Sequence, residues 1–162
     1  MPEGFNFREI RPGDNEQVAR VIRTVMTEFG AVGEGFSIMD PEVDHMYEAY
    51  ADPRARMYVI EKDGKIFGCG GFGPLAGADA HICELKKMYF MKDLRGLGFG
   101  KKLVLQSLDE ARKAGFTQCY LETLARMEPA NTLYRNLGFR PLEGPVGATG
   151  HGKCDIWYLL NL

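Results

Sequence analysis

The chain predicts an α/β fold, a mixed and partly parallel twisted sheet with helices on both faces and a bulged, splayed fourth strand. Three observations lead there. Apolar residues alternate with period two in some segments and recur at helical spacing in others. In the second half the two kinds of segment take turns, which requires crossover connections and hence parallel pairing. Finally, the strand before a glycine-rich loop slips phase by one residue.

Phe5–Arg11, with Phe5, Phe7 and Ile10 apolar, reads as an opening strand ending at Pro12-Gly13. Asp14 can cap a helix to about Phe29, carrying Val18, Val21, Ile22, Val25 and Met26 on one face. Residues 30–40 hold three glycines and read as a loop, and Pro41 opens a short helix through about Tyr50. Met57–Glu61 and Lys65–Gly73 flank Asp63-Gly64, a hairpin signal. His81–Met91 is a strand, and Gly98–Ala114 a helix with Val104, Leu108 and Ala111 in its stripe and Gly115 as terminator. Thr117–Glu122 is a strand. Ala130, Leu133, Tyr134 and Leu137 mark a helix ended by Gly138, and Cys154–Leu160 is the last strand, with a short one near Phe139–Leu142.

The 162 residues, 45% apolar, suit one domain over 1–162 with a sizeable core. No apolar run reaches the ~18 residues of a membrane helix. Glu3 and Arg8 near the start leave no hydrophobic leader, so a cytoplasmic protein is expected. The four cysteines form no CxxC pair and read as reduced, mostly buried small hydrophobes. His81-x-Cys83 and His151-x-x-Cys154 lack recognised zinc spacing, so no metal is expected. A net charge of −2 argues against a nucleic-acid binder. That charge is uneven: Lys86, Lys87, Lys92, Arg95, Lys101 and Lys102 against Asp93 give residues 86–102 a net +5, leaving −7 elsewhere. A basic island on an acidic chain suggests a small anionic ligand.

The island surrounds Arg95-Gly96-Leu97-Gly98-Phe99-Gly100-Lys101, between a strand and a helix. Alternating glycines let backbone approach a ligand, and the helix start presents free N–H groups and the positive dipole end, an anion site. A Walker loop would need glycine at Arg95 and a hydroxyl at Lys102; a dinucleotide fingerprint would need glycine or alanine at Lys101. Both patterns fail. Gly68-Cys69-Gly70-Gly71-Phe72-Gly73 fits the fingerprint formally, but Pro74 follows with no helix, so it reads as a close-approach strand. In the strand before the loop, Leu85, Met88 and Phe90 form the apolar set, which places an extra residue near Lys87. Such a bulge splays the strand from its parallel neighbour and leaves backbone groups near Met88–Phe90 open.

These segments resemble the GNAT acetyltransferase superfamily, which binds acetyl-coenzyme A. The family's Arg/Gln-x-x-Gly-x-Gly/Ala appears as Arg95-Gly96-Leu97-Gly98-Phe99-Gly100. Glu84-Leu85-Lys86-Lys87-Met88-Tyr89-Phe90 resembles its bulged fourth strand, and Ala130-Asn131-Thr132-Leu133-Tyr134-Arg135-Asn136-Leu137-Gly138-Phe139 its Ala-x-x-Leu-Tyr-x-x-x-Gly-Phe element. The resemblance implies that Met88, Tyr89 and Phe90 pair with pantetheine as a mock strand. It implies further that the amides of Gly96, Leu97, Gly98, Phe99, Gly100 and Lys101 hold the pyrophosphate, with Arg95 adding attraction. Two positions depart from the family pattern: Lys92 stands where proline is common, and Met127 where a coenzyme-contacting asparagine is common. Asn131 is in another register and does not inherit that role.

The reaction implied is attack of a primary amine on the acetyl thioester. An alkylamine of pKa ~10.4 must first lose a proton. Glu84, on the bulged strand, and Glu122, at the end of the next, match base positions of different family members; Glu84 is favoured. Either could alternatively be a rim carboxylate attracting a cationic substrate. Tyr134 matches the tyrosine that protonates the departing thiolate, and it could equally be core packing. Glu34, Asp40, Glu42, Asp44 and Asp155 favour a cationic acceptor such as a polyamine or amino sugar, whereas Arg126 and His151 could receive the carboxylate of an amino acid. The expected partner is thus a small-molecule amine. The alternatives are a protein or peptide N-acetyltransferase and a non-catalytic acyl-coenzyme A sensor, and a homodimer is a family-level expectation.

Overall fold

A computed structural model describes residues 2–162. One sheet of seven strands runs through it: β1 (Asn6–Glu9), β2 (Arg56–Lys62), β3 (Lys65–Pro74), β4 (Ile82–Phe90), β5 (Gln118–Thr123), β6 (Arg140–Pro141) and β7 (Ile156–Asn161). Their order across the sheet is β1-β2-β3-β4-β5-β7-β6, antiparallel throughout except where β4 meets β5. The helices are α1 (Asn15–Glu28), α2 (Met46–Ala49), α3 (Phe99–Lys113) and α4 (Glu128–Asn136). The expected fold class is therefore observed.

Strand alternation decides which helix each face receives. Met57 and Val59 on β2 and Cys69 on β3 pack with Val18, Ile22 and Val25 of α1. Tyr58 and Ile60, one residue out of phase, pack with Phe99 and Leu103 of α3. Val104, Leu108 and Ala111 of α3 meet Phe72, Leu85 and, from α4, Tyr134. So α1 and α2 cover one face, α3 and α4 the other.

The sequence pattern erred at two places. Asp14 does precede α1, but its carboxylate accepts the Arg11 N–H at 2.6 Å and is clamped by Arg8 at 2.8 Å, rather than capping the first turn. The helix expected from Pro41 to Tyr50 is broken into a 3₁₀ turn, Pro41–Asp44, and the single turn of α2. Acidic side chains of that turn are drawn instead to cations elsewhere: Glu42 to Lys87 and Asp44 to Arg23.

The glycines of β3 have a packing explanation. A Cβ at Gly70 would lie 3.0 Å from Leu103 and collide with the Met88 sulfur, and one at Gly68 would lie 2.7 Å from Leu94. The formal dinucleotide fingerprint is thus room for neighbouring side chains, as the following proline suggested.

Candidate active site

The site lies where β4 and β5 part. Their parallel pairing comprises Ile82–Gln118, Cys83–Cys119 and Glu84–Tyr120, and stops there. The cause is on β4's other edge: Cys69 and Gly71 of β3 pair with Tyr89 and Lys86, so β4 spends one residue more than β3 over the same span. Lys87 takes up the surplus at φ +60°, a conformation costly for a side chain with a Cβ. The bulge inferred from the slipped period is therefore present at the expected residue.

Two adjoining cavities occupy the wedge. The larger, about 450 Å³, is lined by Met88, Tyr89, Phe90, Arg95, Gly96, Gly98, Phe99 and Gly100, all expected from the sequence. Leu97 and Lys101 lie outside its wall with exposed side chains; the Lys101 amide is open, whereas the Leu97 N–H, expected to hold the pyrophosphate, already donates to Leu94 O at 3.3 Å. Val25 of α1, Phe29 just after it, Met127 just before α4, and Pro129, Ala130 and Leu133 of α4 complete the wall. Sequence reasoning had marked Met127 as the register of a coenzyme contact but missed Val25 and Phe29, which come from a segment distant in the chain; the apolar stripe of α1 running on to Phe29 was the available signal.

Gly96 and Gly98 adopt φ +78° and +85°, and nothing lies within 4 Å of where a Cβ would stand. Their backbone demands glycine, and the space beside it is left open. The first α3 amide with a carbonyl partner is Lys102, donating to Gly98 O at 3.1 Å. The amides of Phe99, Gly100 and Lys101 thus open the helix unpaired, as anion donors would. The basic island is smaller than its composition suggested. Arg95 is engaged by Glu28 at 2.5 Å and donates to Phe90 O at 3.0 Å. Lys102 lies over the Phe7 ring, and Lys87 points away from the loop.

The smaller cavity, about 70 Å³, includes Glu84, Glu122, His151, Cys154, Phe36 and Ser37 in its wall. Met88, Tyr89, Met127, Ala130 and Tyr134 line both cavities and mark their junction. The Tyr134 ring packs edge-on against Phe139, and its hydroxyl has no hydrogen-bond partner among the described residues. Packing and exposure to the cleft coexist in this one side chain. Burial pushes its phenol well above the ordinary value.

The two candidate carboxylates differ sharply. Glu84 is 5% exposed and has no hydrogen-bond donor among the described residues. Desolvation pushes it up to about 7, with Lys86 opposing and Glu122 adding to the rise. Glu122 accepts from Tyr120 Oη at 2.7 Å and from Thr149 Oγ1, and lies 3.4 Å from His151 Nδ1. Those donors outweigh its burial and hold it below the usual carboxylate range.

Most acids expected to attract a cation are already engaged. Asp40 pairs with Lys87 and, at 2.8 Å, with His151 Nε2; Glu42 lies 3.3 Å from Lys87. Asp44 pairs with Arg23, and Asp155 accepts the Ala125 N–H at 2.8 Å. His151, lying between Asp40 and Glu122, is likewise not free to receive a substrate carboxylate. Asn131 is buried with its amide donating to Leu124 O and Met127 O and its oxygen accepting from Tyr158, which pins α4 to the end of β5.

Three of the cysteines are buried and all four are free. Among the described residues, one group could approach a metal ion, Glu84, Glu122 and His151, with ligand atoms within 4.8 Å of one another. No described helix is long and apolar enough to cross a membrane.

The profile of the acetyltransferase (GNAT) family matches residues 21–139. Over 162 residues the chain is 41% identical to the uncharacterized N-acetyltransferase YjgM of Escherichia coli, covering 99% of this chain and 97% of that one. An acetyltransferase structure from Streptococcus agalactiae superposes with a TM-score of 0.84 at 18% identity, covering 99% of both chains. The structure of yncA from Salmonella typhimurium, a putative acetyltransferase with its cofactor acetyl-CoA, superposes at 0.76 with 20% identity, covering 98% of this chain and 94% of that one.

Proposed function

Because the chain belongs to the acetyltransferase (GNAT) family, we propose that it transfers an acetyl group from acetyl-coenzyme A to the primary amine of a small molecule by direct attack. The observation that carries this reading is the wedge between β4 and β5. It joins a glycine-walled cavity with unpaired helix-start amides to a second cavity holding an unengaged carboxyl group.

The diphosphate lies against the amides of Gly98–Lys101, and pantetheine runs along Met88–Phe90 in place of the missing strand. The thioester then reaches the junction beside Tyr134. Glu84 takes the proton of the incoming ammonium. A carboxyl group near 7 is substantially ionised at neutral pH and still basic enough to compete for a proton. Tyr134 remains protonated and donates to the departing sulfur; the burial that raises the phenol also raises the thiolate formed beside it. Cys154 lines the acceptor cavity, but its thiol is pushed up to about 12 and stays protonated, which supports direct attack over an acetyl-cysteine route. With Glu122 and Asp40 committed to internal partners, the cavity suits an acceptor with one ammonium better than a polyamine.

The test is release of coenzyme A thiol by the purified protein over a panel of monoamines, diamines, amino acids and amino sugars. Turnover with at least one amine, lost in Glu84→Gln, is expected. Tight acetyl-coenzyme A binding in a calorimeter without turnover of any amine or peptide would make the chain a sensor.

A further inference from the structure

His151 touches both sides of the acceptor cavity. Its Nε2 lies 2.8 Å from Asp40, in the segment between α1 and α2, and its Nδ1 lies 3.4 Å from Glu122 on β5. Asp40 is itself held by the Lys87 ammonium, whose side chain is wholly buried on the β4 bulge. The loop carrying His151 is fastened further: its backbone N–H donates to Thr149 Oγ1 at 3.2 Å, and Thr149 donates to Glu122. Lys153 N–H donates to Gly35 O at 3.2 Å. A row of alternating charges, Lys87–Asp40–His151–Glu122, therefore crosses the cleft and ends on the carboxylate facing Glu84.

We propose that His151 is a positioning residue. By bridging Asp40 and Glu122 it holds Glu122 as a fixed, engaged anion and leaves Glu84 the carboxylate free to take the substrate proton. This rests on the acetyltransferase reading above. Two carboxylates sharing a cleft would otherwise compete for one proton, and neither would have a defined role. A cation clamped to one of them breaks the symmetry.

Charged and titratable groups reach Glu84 from every side. Lys86 and Lys87 come from its own strand and Glu122 from β5; His151 and Cys154 come from the β6–β7 loop. Asp40, Glu42 and Tyr50 stand beyond, on the α1–α2 side. Of these, His151 and Glu122 act on Glu84 with opposite sign: the cation eases its ionisation, the anion resists it. Removing each should therefore move the acid limb of the kcat–pH profile in opposite directions.

The experiment measures thiol release against pH at saturating acceptor for the wild-type chain, His151→Gln, Glu122→Gln and Asp40→Asn, with thermal melts run alongside. In the wild type the acid limb is centred near pH 7. His151→Gln raises that midpoint by on the order of one pH unit, and Glu122→Gln lowers it by a similar amount. His151→Lys returns the acid-limb midpoint toward the wild-type position. Asp40→Asn removes a carboxylate that raises the imidazole's proton affinity, so it lowers the His151 midpoint toward its ordinary value in an NMR titration.

Lowered kcat with an unmoved midpoint in both His151→Gln and Glu122→Gln would reduce His151 to loop packing and overturn the proposal. So would a loss in Glu122→Gln as deep as in Glu84→Gln, since Glu122 would then carry the proton. If the melts show either cleft variant to be unfolded, the imidazole titration of Asp40→Asn decides: a His151 midpoint unmoved from the wild type overturns the clamp. An NMR titration of the His151 imidazole gives an activity-independent readout: a midpoint near 9 is expected, and one at its ordinary value overturns the clamp. A wild-type chain with that titration but no turnover would instead fail the acetyltransferase reading.

Discussion

Glu84 and Glu122 face one cleft from neighbouring strands, and their surroundings push their proton affinities in opposite directions. Glu84→Gln keeps the volume and removes the base. Its kcat should fall about 10²- to 10³-fold, with the KM for acetyl-coenzyme A changed less than about threefold. Tyr134→Phe keeps the packing against Phe139 and removes only the hydroxyl, so turnover should drop while calorimetric coenzyme affinity holds; unaltered turnover would take Tyr134 out of the mechanism. The sequence singled out both carboxylates and the tyrosine through their match to family positions, and the structure brings all three to the wall of one cavity. The bridge that separates the carboxylates was not legible in the sequence. Asp40 and His151 are 111 residues apart, and no local spacing brings them together. Lys87 was counted in a basic island suited to an anionic ligand, whereas its left-handed backbone turns the ammonium inward onto two acids.

Among the elements, the glycine loop separates folding from binding. Gly98 has positive φ and an open space beside it, so Gly98→Ala should cost about 1–2 kcal/mol of stability and also weaken coenzyme binding. Gly100 lies inside α3, and a Cβ there would meet only Leu133 at 3.5 Å and Phe90 at 3.9 Å. Gly100→Ala should therefore leave the melting temperature unlowered, because alanine favours the helix, and should change acetyl-coenzyme A affinity less than about threefold in calorimetry, since the family pattern takes glycine or alanine there. A far larger loss would show that the coenzyme runs closer to Gly100 than the open wall implies. The loop and the bulge could be read from sequence because each follows from backbone sterics within a few residues. The interrupted helix after Pro41 could not, since its turns are set by cations on α1 and β4.

At the scale of the whole chain, the charge row ties segments remote in sequence, and its contribution to stability has a sign. His151 is raised from an ordinary 6.5 to about 9 by Asp40 and Glu122, against its own burial. In that window the folded chain binds the proton and the unfolded chain does not. The stabilisation is complete below pH 6.5 and lost as pH rises through 9; with solvent screening of a partly exposed imidazole it amounts to on the order of 2 kcal/mol. Urea unfolding at pH 6.5 and 9.5 should show that difference, and His151→Gln should flatten it. Asp40 and Glu122, both lowered, act on the acid side and are lost as pH falls below the ordinary carboxylate range. The parting of β4 from β5 has a further consequence. Beyond Glu84 the β4 amides that face the gap have no strand beside them, whereas those facing β3 are bonded. In heavy water, deuterium should therefore enter the gap-side amides of residues 85–90 fast and those bonded to β3 slowly, with the alternation slipping by one residue at Lys87. A pantetheine arm laid in the gap would slow the fast set alone, writing its path into the chain as a pattern of protection that steps at the bulge.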